Sequence, residues 1–451
     1  MFFVKDKNFY RKILTIAVPI TLQSLITFAT NMMDTIMVGS LGEIALSAAS
    51  LSGQIFFVLS VLCFGIGGGG AVLTSQFWGK KDISSISKTL SITIKLSLVV
   101  GIIAMILALT MPDKLLGFYI NDSAVIQAGV SYLKLASLIY PIFAVLTITS
   151  IILRTTSQIK ISVLGNSVAF VLNVFFNYIF IFGKFGMPQM GLTGAAVGTV
   201  ISRIVEFCII MGYLFFVDKK IQFRFKDLIS FDKLIFVKYL RSGINVLISD
   251  ALLVAGLTSL TMILGRLGPE MIAANSICSI VIQLSTVFIN GISSSGLVII
   301  GNTIGEGKFS LAKEQSRTFL LISIIVGIIA SLLIIIMKHF IIDFYNVEQV
   351  TKDIAHELMN GAIFIIIFQV PSSVLTKGIL RGGGDTKFLV FADVLFLWLL
   401  SIPLGMLAAF VFKFSPAFIY ICLKFDEIIK AIWCSVRMIG NKWIKDVTVK
   451  N

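Results

Sequence analysis

The chain has 451 residues, of which 57% are hydrophobic and only 13% charged, where a soluble protein carries roughly 25% charged residues. Its mean hydropathy is +0.99 and its formal net charge +14. These values exclude a soluble enzyme, a secreted disulfide scaffold and a disordered regulator, and point to a polytopic membrane protein.

Lys5, Lys7, Arg11 and Lys12 precede a first apolar run at 13–38. It is too long for a signal-peptide core and lacks a clear small-residue cleavage site, so it reads as a first span. Further apolar windows follow near 45–74, 90–111, 128–153, 161–183 and 191–217, then 240–264, 273–301, 318–337, 358–380, 388–412 and 415–436. The runs are continuous and do not alternate with polar residues, which predicts twelve transmembrane helices and no barrel strands. With the N-terminus in the cytoplasm, 26 Lys and Arg fall in inside segments and six in outside ones, the other five lying within or at the ends of spans. That bias places both termini in the cytoplasm and accounts for the basic charge without nucleic acid. The expected location is the cytoplasmic membrane of a bacterium, the richness in Ile, Lys, Phe and Ser fitting an AT-rich genome.

The longest polar break, 218–241, interleaves seven basic residues with apolar ones, as in Gln222-Phe223-Arg224-Phe225-Lys226. It predicts an amphipathic helix on the membrane surface. The break divides the chain into an N-terminal lobe at 1–217, a cytoplasmic linker at 218–241 and a C-terminal lobe at 242–451. The halves are related. A shift of 226 residues sets Leu41-Gly42 on Leu267-Gly268, Gly65-Ile66 on Gly291-Ile292 and Gly79 on Gly305, with ten of 39 positions identical over 41–79. Arg154 and Lys160 match Arg381 and Lys387 one residue further on. This is an internal repeat of six spans. An even number of spans implies two lobes related by a pseudo-two-fold axis along the membrane normal, with a cavity between them.

An ionisable group inside a span costs about 2.5–3.5 kcal/mol on insertion scales, so each needs a reason. Asp34 lies five residues before Gly39, hence roughly 8 Å below the outer end of the first span. Asn173 and Asn177 are four apart on one face of the fifth span, and Thr199 lies at similar depth in the sixth. Four polar side chains at one level can form a hydrated pocket whose carboxyl takes up and releases protons. The alternative is that Asp34 reaches the outer surface and the asparagines only bridge helices. Arg203 and Glu206, three apart, read as a structural pair. Asp250 and Asp393 sit toward the cytoplasmic side, where a charge costs less. The five cysteines lie in apolar stretches without CxxC spacing, and His339 and His356 show no ligand spacing, so neither disulfides nor a metal is expected. The glycine run at 67–70 and the turn Arg381-Gly382-Gly383-Gly384-Asp385-Thr386-Lys387 lack the pattern of a phosphate loop. No cofactor is indicated, and the energy source is an ion gradient.

Several segments together resemble the multidrug and toxic compound extrusion (MATE) family. They are Ala17-Val18-Pro19-Ile20 and Met33-Asp34-Thr35-Ile36-Met37-Val38-Gly39 in the first span, and Gly186-Met187-Pro188 with Gly191-Leu192-Thr193-Gly194-Ala195-Ala196 before and in the sixth. Leu380-Arg381-Gly382 with Gly384-Asp385-Thr386-Lys387, Asp426-Glu427 and Lys442-Trp443 complete the pattern. The resemblance implies an all-α fold of two six-helix lobes forming a V, and export by alternating access in exchange for protons or sodium. Its DinF-like branch uses an aspartate on the first helix with polar residues on the fifth and sixth. That pattern falls on Asp34, Asn173, Asn177 and Thr199, with the departure that many relatives carry aspartate where this chain has Asn177. The NorM-like branch uses acids on the seventh and tenth helices; here the tenth span reads Phe368-Gln369-Val370-Pro371-Ser372-Ser373 without an acid, and Asp250 is about one turn from the expected place on the seventh.

The leading expectation is therefore a proton-coupled antiporter of the DinF-like branch that exports amphipathic, often cationic, organic compounds, working as a monomer in the bilayer. Met32, Met33, Gln54, Asp250 and Gln283 are its candidate cargo contacts, adaptable Met-rich surfaces suiting ill-defined ligands. The alternatives are a sodium-coupled drug exporter and a lipid-linked precursor flippase of the same fold. No HExxH, GxSxG or paired inward carboxylates support an enzyme.

Overall fold

In lipid a backbone must satisfy its own polar groups, and a long apolar run does so by forming a helix. The computed structural model describes residues 3–120, 122–345 and 347–449, and no strand occurs among them. The main helices are α1 (Lys7–Gly39), α2 (Glu43–Gly79), α3 (Ile83–Thr110), α4 (Ser123–Ser137), α5 (Tyr140–Thr155), α6 (Ile159–Phe182) and α7 (Leu192–Gly212). There follow α8 (Lys233–Gly265), α9 (Pro269–Thr286), α10 (Phe288–Gly305), α11 (Phe309–Phe344), α12 (Gln349–Ser373), α13 (Thr386–Phe396), α14 (Pro416–Leu423) and α15 (Phe425–Ile439).

Among the described residues ten helices are long and apolar enough to cross a membrane, and α4 with α5 makes an eleventh span bent by 49°. Pro141 in the first turn of α5 accounts for that break, because proline offers no N–H to the preceding turn. The window expected as a twelfth span is α14 and α15, two shorter helices parted at Lys424. The window at 273–301 is α9 running on through Val287 into α10. After Pro371, α12 continues as a wide π turn to Leu380.

The chain forms two compact units. One takes residues 22–74 and 82–240, the other 1–21, 75–81 and 241–451, so α1 and α2 each contribute to both.

In the first unit α6 and α7 meet backbone to backbone. A Cβ on Gly194 would lie 2.5 Å from the Phe180 carbonyl oxygen, and one on Gly198 would lie 2.2 Å from Asn177 Oδ1. The segment at 218–241, expected to be one amphipathic surface helix, is instead a short helix at Phe225–Ile229 followed from Lys233 by the start of α8, with non-helical chain before and between them. Over 221–225 the apolar residues recur every second position, which suits extended chain. Ile221 and Phe223 are accordingly buried, and Phe225 stacks on Phe215 with centroids 3.9 Å apart. The segment is tied to α3, where Lys95 Nζ donates to the Ser230 carbonyl at 2.5 Å and Lys88 pairs with Asp232 at 2.9 Å.

In the second unit the last turns of α2 and α10 cross without side chains between them. A Cβ on Gly79 would sit 2.0 Å from the Asn302 carbonyl oxygen, and one on Gly305 would sit 2.0 Å from the Gln76 carbonyl oxygen. The C-terminal tail closes over the turn between α12 and α13. Trp443 is fully buried against Gly383, while Arg437 Nε and Lys445 Nζ donate to the buried Asp385 at 2.8 and 2.5 Å. Gln76 Nε2 donates to the carbonyls of Gly382 and Lys445, and its Oε1 accepts from the Val447 amide at 2.9 Å. Lys80 pairs with Asp446 at 2.9 Å.

Candidate functional site

Helical spacing assembles a polar site inside the first unit. Thr30, Asn31 and Asp34 share one face of α1; Asn166, Asn173 and Asn177 share one of α6, seven and four residues apart; Thr199, Ser202 and Arg203 lie on one face of α7. Together with Ser52, Gly53 and Phe56 of α2, and Tyr132 and Tyr140 of α4 and α5, they surround a cavity of about 170 Å³, although Asn177 itself sits just behind the wall.

The four residues singled out by depth are brought together. Asn177 Nδ2 donates to Asp34 Oδ1 at 2.6 Å and to Asn173 Oδ1 at 3.4 Å. Asn173 Nδ2 donates to Thr199 Oγ1 at 3.2 Å, whose hydroxyl donates to the Ala195 carbonyl at 2.9 Å. Asn173 and Asn177 are buried, and Asp34 is half-buried with its carboxyl open to the cavity. Asn177 Oδ1 is buried and has no hydrogen-bond partner among the described residues, because Gly198 lies against it.

Arg203 also lines the cavity, and its Nη1 donates to Glu206 at 2.6 Å. The pair expected from sequence spacing is formed, and one member faces the site. Asn166 and Tyr132 were not singled out. Asn166 carried a signal, seven residues before Asn173, whereas Tyr132 reaches the site from α4, the first helix of the bent pair.

The other candidates lie elsewhere. Met32 and Gln54 are exposed and Met33 half-buried, and none of the three lines the cavity. Gln283 is exposed on α9 of the second unit. Asp250, also there, is held by Arg381, whose Nη2 donates to Oδ1 at 2.8 Å and Nη1 to Oδ2 at 3.3 Å. Asp393 accepts from Ser249 Oγ at 2.5 Å. Among the described residues no group of three or more His, Cys, Asp or Glu side chains is placed to hold a metal ion.

The MatE family model matches residues 19–179 and again 246–407, once in each half of the repeat. The probable multidrug resistance protein YoeA of Bacillus subtilis is 23% identical over 402 residues, covering 88% of this chain and 86% of that protein. The probable multidrug resistance protein NorM of Thermotoga maritima is 24% identical over 437 residues, covering 96% and 93%. Among solved structures, a multidrug resistance MATE family transporter of the MOP superfamily in an outward-facing conformation aligns with a TM-score of 0.87 at 18% identity, covering 98% of this chain and 99% of that one. A MOP superfamily transporter from Pyrococcus furiosus aligns with a TM-score of 0.86 at 18% identity, covering 96% of each chain. The last two likenesses are of fold.

Proposed function

The chain belongs to the MatE family, and from that membership we propose that it is a secondary active exporter of amphipathic, often cationic, organic compounds in exchange for protons. It works by alternating access in a bacterial cytoplasmic membrane, with both termini in the cytoplasm. The observation that carries the coupling is the Asp34 carboxylate on the Asn177 amide, 2.6 Å away, at the wall of a small cavity lined in part by polar side chains. At about 170 Å³ that cavity is smaller than the roughly 300 Å³ at which sites for drug-sized ligands begin. It suits a proton and a few waters, so its role is coupling and the cargo binds elsewhere.

Ionised Asp34 accepts a charge-assisted hydrogen bond from Asn177, which ties α1 to α6. A proton on the carboxyl removes that charge, and the tie weakens to a neutral hydrogen bond. Protonated and ionised states thus differ in how firmly α1 is held, which is the differential contact a proton needs to shift a conformational equilibrium. Arg203, paired with Glu206, faces the same cavity and brings the positive end of that pair toward Asp34.

A second reading, sodium coupling, is favoured by one feature. Asp34, Asn173 and Thr199 line one cavity and offer oxygens of the kind hard cations take. Efflux of a fluorescent organic cation from proteoliposomes, in sodium-free buffer under an imposed pH gradient alone, separates the two. Movement that stops when the gradient is collapsed is the expected result. Movement only under a sodium gradient transfers the reading to sodium, and movement under neither removes cation antiport.

A further inference from the structure

Arg154, near the end of α5, is half-buried, and its Nη2 donates to Gln23 Oε1 of α1 at 2.8 Å. Arg381 in the second unit is its repeat partner, 227 residues on, and Asp250 stands at the same offset from Gln23. The two contacts are built alike. Arginine and partner are 131 residues apart in both, and Nη2 reaches its acceptor at 2.8 Å in both. The difference is chemical, since Arg381 meets a carboxylate bidentately and Arg154 meets a neutral amide. Among the described residues Arg154 forms no ion pair, whereas Arg381 pairs with Asp250; the Nε of both is buried without an acceptor. The nearest polar turn adds a further cation, with Lys220 Nζ donating to the Thr156 carbonyl at 3.5 Å.

A guanidinium withdrawn from water without a counter-charge is costly, and its planar fork fits a carboxylate. We propose that Arg154 and Gln23 form a binding site for a carboxylate, in which the ligand supplies the group that Asp250 supplies to Arg381. Gln23 is eleven residues before Asp34, about 16 Å along α1, so the site is separate from the coupling cavity. The side-chain amide of Gln23 adds an N–H donor, whereas an aspartate in its place would repel the ligand. The carboxylate belongs either to a small free acid or to an anionic or zwitterionic amphipathic molecule. In the second case the site widens the cargo class beyond cations, and that extension rests on the export reading.

Titration calorimetry on the purified full-length chain, with 1-naphthylacetate and its neutral counterpart 1-naphthylacetamide, tests the site without any ion gradient. Exchanging a neutral for a charge-assisted hydrogen bond should give the acid about tenfold tighter binding. Gln23→Glu, isosteric and supplying the missing carboxylate, should abolish that preference. Arg154→Lys, which keeps the charge but loses the fork, should reduce it and serves if the first variant does not fold. Competition by acetate at similar concentration identifies a small free acid as the ligand; preference for the naphthyl acid without such competition identifies an amphipathic one. Equal binding of acid and amide by the unaltered chain, or an unchanged preference in both variants, overturns the proposal. Neither result bears on efflux driven by a pH gradient, so the two readings fail independently.

Discussion

Replacing Gly198 by alanine asks whether the backbone contact of α6 with α7 positions Asp34, the proposed coupling carboxylate. The added Cβ would lie 2.2 Å from Asn177 Oδ1 and 3.0 Å from the Asn177 backbone nitrogen. Carbon and oxygen approach to about 3.3 Å, so roughly 1 Å must be recovered. Rotation of the Asn177 side chain relieves the first clash but breaks its 2.6 Å bond to Asp34, and the backbone nitrogen cannot rotate away. Overpacking of this kind costs about 1–3 kcal/mol. Gly53→Ala is the matched control, because Gly53 lines the same cavity with nothing within 4 Å of a new Cβ. In a helix that change is neutral or stabilising by up to about 1 kcal/mol. Thermal unfolding of both variants in detergent, with pH-driven efflux measured in vesicles, should show Gly198→Ala unfolding earlier and coupling poorly while Gly53→Ala does neither. Indistinguishable unfolding and efflux in the two variants would refute the assignment of Asn177 as the positioning group.

Asp34→Asn should abolish proton-driven efflux while leaving a folded, inserted protein; efflux at the level of the unaltered chain would remove Asp34 from the mechanism. Asn177→Asp should move the pH optimum or the sodium dependence of efflux, and superimposable profiles would make the amide at that position silent. In the tail, burial pushes the Asp446 carboxyl up, but Lys80 and Thr448 together hold it below the usual carboxylate range. A carboxyl whose folded-state value is depressed contributes stability that is complete above its unfolded value, about 4, and is lost as pH falls through the lower folded value. Pepsin should therefore cut within 440–448 more readily as pH drops below about 4, and Lys80→Met should flatten that dependence. The pair is partly exposed, so the effect is below about 1 kcal/mol, and an unchanged pH dependence in the variant would exclude the pair as its cause.

Depth along a helix is legible in a sequence because the rise per residue is constant. Asp34, Asn173, Asn177 and Thr199 were grouped by counting from helix ends, and the structure sets them within hydrogen-bonding reach of one another in sequence. Asn166 could have been added from its seven-residue spacing. Tyr132 could not, since the 49° bend after α4 decides where its ring points. In the 218–241 segment the period of two at Ile221, Phe223 and Phe225 marks non-helical chain leading into the short helix, whereas the residues from Lys233 belong to the next long helix. Met32, Met33 and Gln54 illustrate a different limit. They lie outside the Asp34 cavity, and composition alone does not say which side of a helix a residue faces. The Arg154 and Gln23 contact was half visible, as the repeat paired Arg154 with Arg381 while the partner on α1 needed the tertiary structure.

The crossing of Gly79 with Gly305 carries a consequence for how such a chain can change over generations. Each glycine is required by a carbonyl on the other's helix, Asn302 for Gly79 and Gln76 for Gly305, and those two are themselves repeat partners. A duplicated gene ordinarily leaves its copies free to drift apart. At this point neither copy has that freedom, because enlarging either residue jams the same contact. Gln23 and Asp250, similarly placed beside the paired arginines, show the opposite case, where each answers only to an arginine of its own half and the two differ in charge. Likeness between the halves thus persists where they share a contact, and novelty accumulates where each keeps its own.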